Sequence, residues 1–418
     1  MGWIRSSLTE VPREKLSKMS SRPPLKLLNY HGVPIWRNTV FIRLAMQIFA
    51  ALVVISVIWL LAINLMNNAE QRGLNLSFRL LSTNAGFDVP YSLIPFDSSK
   101  SILYAFFAGV ANTLRLVGIA IFTTTALGIL IGLARLSSNF VISGLARVYV
   151  ETMRNIPLIT FAFFLVFGLL RGLPRTSEAW TISGIGSMSN RGIYLTSIDE
   201  SSSLVLWLVI VVLGVVLAYL LNRLVLKNRG ELRLFGIRLN RGFTPIVIMV
   251  LIAVVGWIAQ PEAPFVFDQP ELKGTNFVGG MKLTTEFFAI LMALTVYIAS
   301  YVSEIVRGSV QSVPKGQVEA AKALGLSYWQ VTMNVVLPQA ARIAVLPMIG
   351  QWVNITKGSA LAIVVGYAEV FVVARTAIEK TGMAIQIFVM VIAFYMIMGA
   401  FFSLLGNWYN RKVQFDGR

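Results

Sequence analysis

Residues 312–339 read Ser-Val-Pro-Lys-Gly-Gln-Val-Glu-Ala-Ala-Lys-Ala-Leu-Gly-Leu-Ser-Tyr-Trp-Gln-Val-Thr-Met-Asn-Val-Val-Leu-Pro-Gln, a polar interval in an otherwise apolar chain. Good helix formers fill 317–324, with Glu319 near the start and Lys322 near the end, as the helix dipole favours. Gly325 supplies a left-handed stop. Ser327 and Gln330 have the spacing of a capping box for a second short helix, and Pro338 marks where that helix is disturbed or ends. The spacing therefore predicts a compact helical elbow between two long apolar segments, a shape suited to fit into something else.

Working outward, 56% of the 418 residues are hydrophobic, only 13% are charged, and the mean hydropathy is +0.71. A soluble domain is far less apolar, so the composition implies a polytopic membrane protein. The net charge of +17 sits in Lys and Arg clusters beside apolar runs, as the positive-inside rule requires. No basic face on a soluble fold is evident, so nucleic acid is not an expected partner. Cysteine is absent, which removes disulfides, thiol nucleophiles and thiolate metal sites. The single histidine, His31, lies in a polar tail and cannot build a multi-histidine metal site. No GxxxxGK[ST] loop and no zinc-protease helix occur, and no serine has a histidine base. A chain of this kind moves a solute only with energy from a gradient or from another subunit.

Taken in order, residues 1–38 carry Arg5, Arg13, Lys15, Lys18, Arg22, Lys26 and Arg37 and read as a basic cytoplasmic tail. Predicted spans, the third of them short, follow at about 40–66, 111–135, 158–170, 204–221, 243–259, 285–303, 339–366 and 385–405. These give eight predicted spans with both termini inside. Gly128 and Gly132 form a GxxxG pair that predicts close helix packing within the chain. Glu151 and Arg154, three residues apart, have the spacing of an ion pair on one helix face. Between spans, 67–100, 171–202 and 260–284 read as external, whereas 222–242, with Arg223, Lys227, Arg229, Arg233, Arg238 and Arg241 against Glu231, reads as cytoplasmic. The elbow falls on the cytoplasmic side. The seventh span is broken by Asn354, Thr356, Lys357, Gly358 and Ser359, and a lysine at that depth needs protein, water or ligand to face. An interrupted helix there is predicted to expose backbone groups to a cavity.

Glu319-Ala320-Ala321, Gly325 and Val335-Val336-Leu337-Pro338 resemble the EAA signature of bacterial ABC importer permeases, E-A-A-x3-G-x9-I-x-L-P, with Val335 in place of isoleucine. Similar stretches surround it: Tyr301 to Gly308, Gln311 to Gln317, Gln339 to Arg342, Asn112-Thr113-Leu114 and Arg154 to Leu158. Together they look like the polar amino-acid uptake branch, the histidine, glutamine and general L-amino-acid importer type, and in particular the longer of two paired permeases.

The resemblance implies an all-α integral membrane protein of about eight transmembrane helices with a type I ABC importer core. Its implied organisation is a tail at 1–38, an extra span and external segment at 39–104, core at 105–170 and 285–408, inserted external segments and spans at 171–284, and a tail at 409–418. It further implies a multi-pass location in the bacterial inner membrane. The implied partners are a cytoplasmic ABC ATPase dimer, a second homologous permease, a periplasmic amino-acid-binding protein, an amino-acid substrate and membrane lipid. ATP and Mg belong to the partner ATPase; this chain is expected to bind no cofactor or metal and to be no enzyme. Glu319, Ala320, Ala321, Gly325, Leu337 and Pro338 are implied to dock the ATPase, and Lys357 to meet the substrate α-carboxylate beside Asn354, Thr356, Gly358 and Ser359. After the lysine, this chain has Gly358-Ser359-Ala360 where many relatives have Asn-Thr-Ser or Asp-Thr-Ser. Two rivals are an ion-coupled secondary amino-acid transporter, which needs carboxylates within its spans, and a membrane-embedded transferase, which needs a His or Asp cluster at the interface.

Overall fold

A computed structural model describes residues 29–30, 33–34, 39–71, 77–201, 203–221, 231–234, 237–240 and 244–413. His31, most of the basic tail, Arg223, Lys227, Arg229, Arg241 and the last five residues lie outside them. The chain divides into two units, Met1–Ser77 and Phe78–Arg418.

The first unit contains a short hairpin, β1 (Asn29–Tyr30) with β2 (Val33–Pro34), and helix α1 (Thr39–Gln71). Apolar side chains such as Phe49, Ile58, Trp59 and Leu61 are exposed around α1, the distribution expected of a helix solvated by lipid.

In the second unit, α2 (Ile102–Arg135) is followed by α3 (Phe140–Asn155), and the chain then turns by 105° into α4 (Leu158–Phe163). Pro157 sits in that turn and cannot donate a helical hydrogen bond. A π-helical stretch at Phe164–Leu169 and a 3-10 turn at Leu170–Gly172 complete the bent pair.

The strands β3 (Trp180–Ile182), β4 (Gly186–Ser189), β5 (Gly192–Leu195) and β6 (Ser197–Glu200) come next. They lead to helix α5 (Leu204–Leu221), hairpin β7 (Glu231–Leu234) and β8 (Ile237–Asn240), and helix α6 (Thr244–Ile258). The Trp207 indole N–H donates to the Ala253 carbonyl at 3.0 Å, which joins α5 to α6 as an apolar helical hairpin. Four further strands follow: β9 (Phe265–Asp268), β10 (Glu271–Lys273), β11 (Asn276–Val278) and β12 (Met281–Leu283). Strands β12-β5-β4-β3 form an antiparallel sheet in that order, β6 pairs with β9, and β10 pairs with β11. Residues 171–284 thus form a small β structure around an apolar helical hairpin, within a fold that is mostly helical as expected. The strands are too short, and their partners too distant in sequence, to leave a local periodicity.

The long helix α7 (Thr285–Gln311) lies at the centre of the second unit and buries Phe287, Ile290, Leu294, Ile298 and Val302. It packs along α2, where a Cβ at Gly128 would stand 2.5 Å from the Val302 side chain and one at Gly132 would stand 2.7 Å from that of Val306. The GxxxG pair therefore serves intramolecular packing, since only glycine lets the two backbones approach this closely. The elbow helices α8 (Lys315–Ala323) and α9 (Tyr328–Val331) follow. A π-helical stretch at Thr332–Val336 leads into α10 (Leu337–Gly358), the 3-10 turn Ser359–Val364, α11 (Val370–Thr381) and α12 (Ala384–Val413).

Five helices among the described residues are long and apolar enough to cross a membrane, or six if the bent pair is one span. The remaining two predicted spans fold as the shorter apolar helices of the insertion. At Asn354 the expected interruption does not occur. The α-helix continues through Gly358 and tightens to 3-10 geometry only from Ser359.

Candidate functional site: the elbow and the Lys357 segment

The elbow forms as its sequence dictates. Gly325 has φ of +79°, its N–H donates to the Lys322 carbonyl, and the Leu326 N–H reaches back to Ala321, which closes α8 with a Schellman motif. Ser327 then accepts from the Gln330 N–H while the Gln330 side chain accepts from the Ser327 N–H, a complete capping box. Pro338 stands in the first turn of α10 directly after the π-helical stretch. Its missing N–H removes one rung of the helical ladder there, which accounts for the local widening. The Gln339 side chain donates to that of Gln317 at 2.7 Å, tying the start of α10 back to α8.

Glu319 and Ala320 are exposed, whereas Ala321 packs into its own subunit at 6% exposure. Gly325 and Pro338 are exposed and Leu337 is half-buried. Beside them stand three large apolar side chains the sequence reading overlooked, Leu324 at 82%, Tyr328 at 81% and Trp329 at 64% exposure. Apolar side chains this open on a polar element mark a contact surface. Their signal in the sequence was composition alone: aromatics where a solvated turn needs none.

Immediately before the elbow, α2 and α7 are clamped by charge. Arg135 pairs with Glu304, whose carboxylate also accepts from the Arg307 guanidinium at 2.7 Å, and Arg307 donates to Gln311 at 2.6 Å. The expected pairing of Glu151 with Arg154 is not formed; Arg154 lies over the Tyr301 ring at 5.3 Å.

The Lys357 segment is divided between two faces of its helix. Asn354 and Lys357, three residues apart, are exposed. Lys357 lines a cavity of about 510 Å³ with Phe371, Val391, Tyr395 and Met396. Thr356 and Ser359, also three apart, are buried, and their hydroxyls donate to the Trp352 and Thr356 carbonyls at 2.9 and 2.7 Å. Gly358 faces Leu294, where an added Cβ would stand 3.1 Å from that side chain. The five residues therefore do not converge on one space; Lys357 and Asn354 alone face outward from the fold.

Behind this segment lies a polar cluster that was not predicted. Glu369 is fully buried, caps α11 by accepting from the Phe371 and Val372 N–H groups at 2.8 and 2.9 Å, and takes a longer bond from Thr113. Asn112 donates to the Ala368 carbonyl at 2.8 Å, the Thr113 hydroxyl accepts from the Val370 N–H at 2.9 Å, and the Tyr367 hydroxyl donates to the Asn112 carbonyl at 3.1 Å. Asn112-Thr113 thus fastens the 367–370 turn to α2. Burial pushes the Glu369 carboxyl up to about 7, against the hydrogen bonds that favour its charged form.

Residues 124–415 match the family of binding-protein-dependent transport system inner membrane components. The chain belongs to that family. It is an inner-membrane transporter subunit. It is 34% identical over 88% of its length to YhdX of Escherichia coli, covering 93% of that protein. It is also 34% identical to AapQ of Rhizobium johnstonii, a general L-amino acid transport system permease, over 88% of this chain and 91% of that one. BztB of Rhodobacter capsulatus, a glutamate/glutamine/aspartate/asparagine transport system permease, is 30% identical over 91% of this chain and 96% of its own.

Proposed function

We propose that this chain is one permease of an ATP-driven importer that carries L-amino acids across the bacterial inner membrane. The observation that carries the proposal is the elbow: an EAA signature at its full spacing, with Leu324, Tyr328 and Trp329 presented to a partner. A cytoplasmic ATPase dimer binds and hydrolyses ATP with Mg²⁺ and seats against this surface. A binding protein delivers the solute on the outer side, and a second homologous permease completes the pathway. The names of AapQ and BztB support an amino-acid cargo.

Closure of the ATPase dimer pushes on the elbow. Gln339 and the start of α10 transmit that displacement toward the Lys357 segment, because the two ends of α10 belong to one helix. Lys357 receives the α-carboxylate and Asn354 hydrogen-bonds beside it, while Thr356, Gly358 and Ser359 hold the helix in place from behind. The chain itself makes and breaks no covalent bond.

The test is co-purification and uptake with Glu319→Lys. Insertion in the membrane with loss of the ATPase and of uptake is expected; normal uptake by this variant contradicts the proposal.

A further inference from the structure

A cavity of about 610 Å³ lies at the opposite end of α7 from the elbow, between the four-stranded sheet of the insertion and the turn at Val365 to Ala368. The 27 residues of α7 separate the two by about 40 Å. The volume lies within the range of small-molecule sites. Its wall is polar and comes from separate segments: Tyr91, Asn190 and Arg191 of the β4–β5 turn, Lys282 of β12, Glu286 in the first turn of α7, and Tyr367.

These groups are held in place. The Arg191 guanidinium donates to the Thr275 carbonyl at 3.2 Å and to the Asn276 side chain. Lys282 donates to the Tyr91 hydroxyl at 3.4 Å and stands 5.3 and 5.6 Å from the Tyr91 and Tyr194 ring centroids, an arrangement that stabilises an ammonium. Partial burial works to lower the Lys282 pKa, but the two tyrosines outweigh it and the net shift is upward, so Lys282 stays charged. Both cations keep N–H groups to donate, and Glu286 accepts from Thr285 through only one of its oxygens.

We propose that this cavity is an outer receiving site for an amino acid with a second carboxylate, glutamate or aspartate in kind, whose two carboxylates meet Arg191 and Lys282 and whose ammonium meets Glu286. Two cations and one carboxylate complement a ligand of two carboxylates and one ammonium, charge for charge. The amide isostere loses one of those pairings. This site rests on the amino-acid-importer reading and is separate from the Lys357 segment: both of its cations come from residues 171–284, and Tyr367 lies in the turn that Asn112 and Thr113 fasten to α2.

The chain contains no cysteine, so Asn190→Cys introduces the single thiol of this subunit into the cavity wall. The assembled transporter, without binding protein, is labelled with a membrane-impermeant methanethiosulfonate, and labelling of this subunit is followed. L-Glutamate at about 10 mM should slow labelling about tenfold if Kd is about 1 mM. L-Glutamine should protect less. Protection should be lost in Lys282→Gln and recovered in Lys282→Arg. Thr285→Cys serves as a second reporter should the first fail to assemble. Labelling unaffected by L-glutamate, or equally slowed by both amino acids, overturns the proposal. ATP-driven uptake measured on the same preparation after the binding protein is added back separates the two readings. Uptake without protection sinks the receiving site alone, whereas absence of any amino-acid uptake sinks the importer reading beneath it.

Discussion

Lys357 and Thr356 are neighbours in sequence and opposites in environment, one at the rim of a cavity and the other buried with its hydroxyl bonded to the preceding turn. Loss of a charge-assisted hydrogen bond to a carboxylate costs about 2 kcal/mol, or roughly thirtyfold in affinity. Lys357→Met should therefore lower transport efficiency by about that factor at normal expression, whereas Thr356→Val, which removes only a satisfied intrahelical bond, should leave solute affinity nearly unchanged. Concentration-dependent uptake by the two variants checks this, and equal effects would remove Lys357 from the solute path. Glu369 gives a pH-dependent counterpart. Its folded pKa of about 7 lies above its ordinary value of 4.5, so the folded state holds the proton more tightly than the unfolded one. Its contribution to stability is fully present below about 4.5 and is lost as pH rises through about 7. Relative to Glu369→Gln, the Tm of the wild-type protein in detergent should fall over that window; a constant difference would contradict the assignment. The lysine was legible in the sequence because it interrupts an apolar run. Glu369 was not singled out, since its importance comes from Asn112 and Thr113, more than 250 residues away along the chain.

Among the elements, α2 and α7 depend on the pair of missing side chains at Gly128 and Gly132. Gly128→Val or Gly132→Val forces a side chain into Val302 or Val306 and should destabilise the unit by about 1–3 kcal/mol, as overpacking generally does. Thermal unfolding measures this, and an unchanged Tm would mean the helices have room to separate. The helices were readable from apolar length, and the elbow from its caps. The antiparallel sheet was not, because pairs such as Leu195 with Met281 and Tyr194 with Lys282 join short segments far apart in the chain. Such pairing is specified by tertiary contacts and leaves little local periodicity. The same applies to the polar cavity, whose Arg191 and Lys282 are brought together by that sheet.

For the molecule as a whole, the fold separates two surfaces along α7: an elbow with exposed Leu324, Tyr328 and Trp329 at one end and a polar cavity at the other. On the proposed reading, the ATPase motor seats at the first surface. Trp329→Ala and Tyr328→Ala should each weaken ATPase retention by about 1–2 kcal/mol, the range of buried aromatic contacts at interfaces, without loss of membrane insertion. Retention unchanged in both would move the docking surface elsewhere. The central claim is tested most directly by ATP-dependent amino-acid uptake into proteoliposomes that hold the purified complex and its binding protein, with the wild-type subunit and with Glu319→Lys compared side by side. The account predicts uptake that requires ATP and the binding protein in the first case and none in the second. Uptake that persists in the Glu319→Lys variant, or that needs no ATP in the wild type, would contradict it.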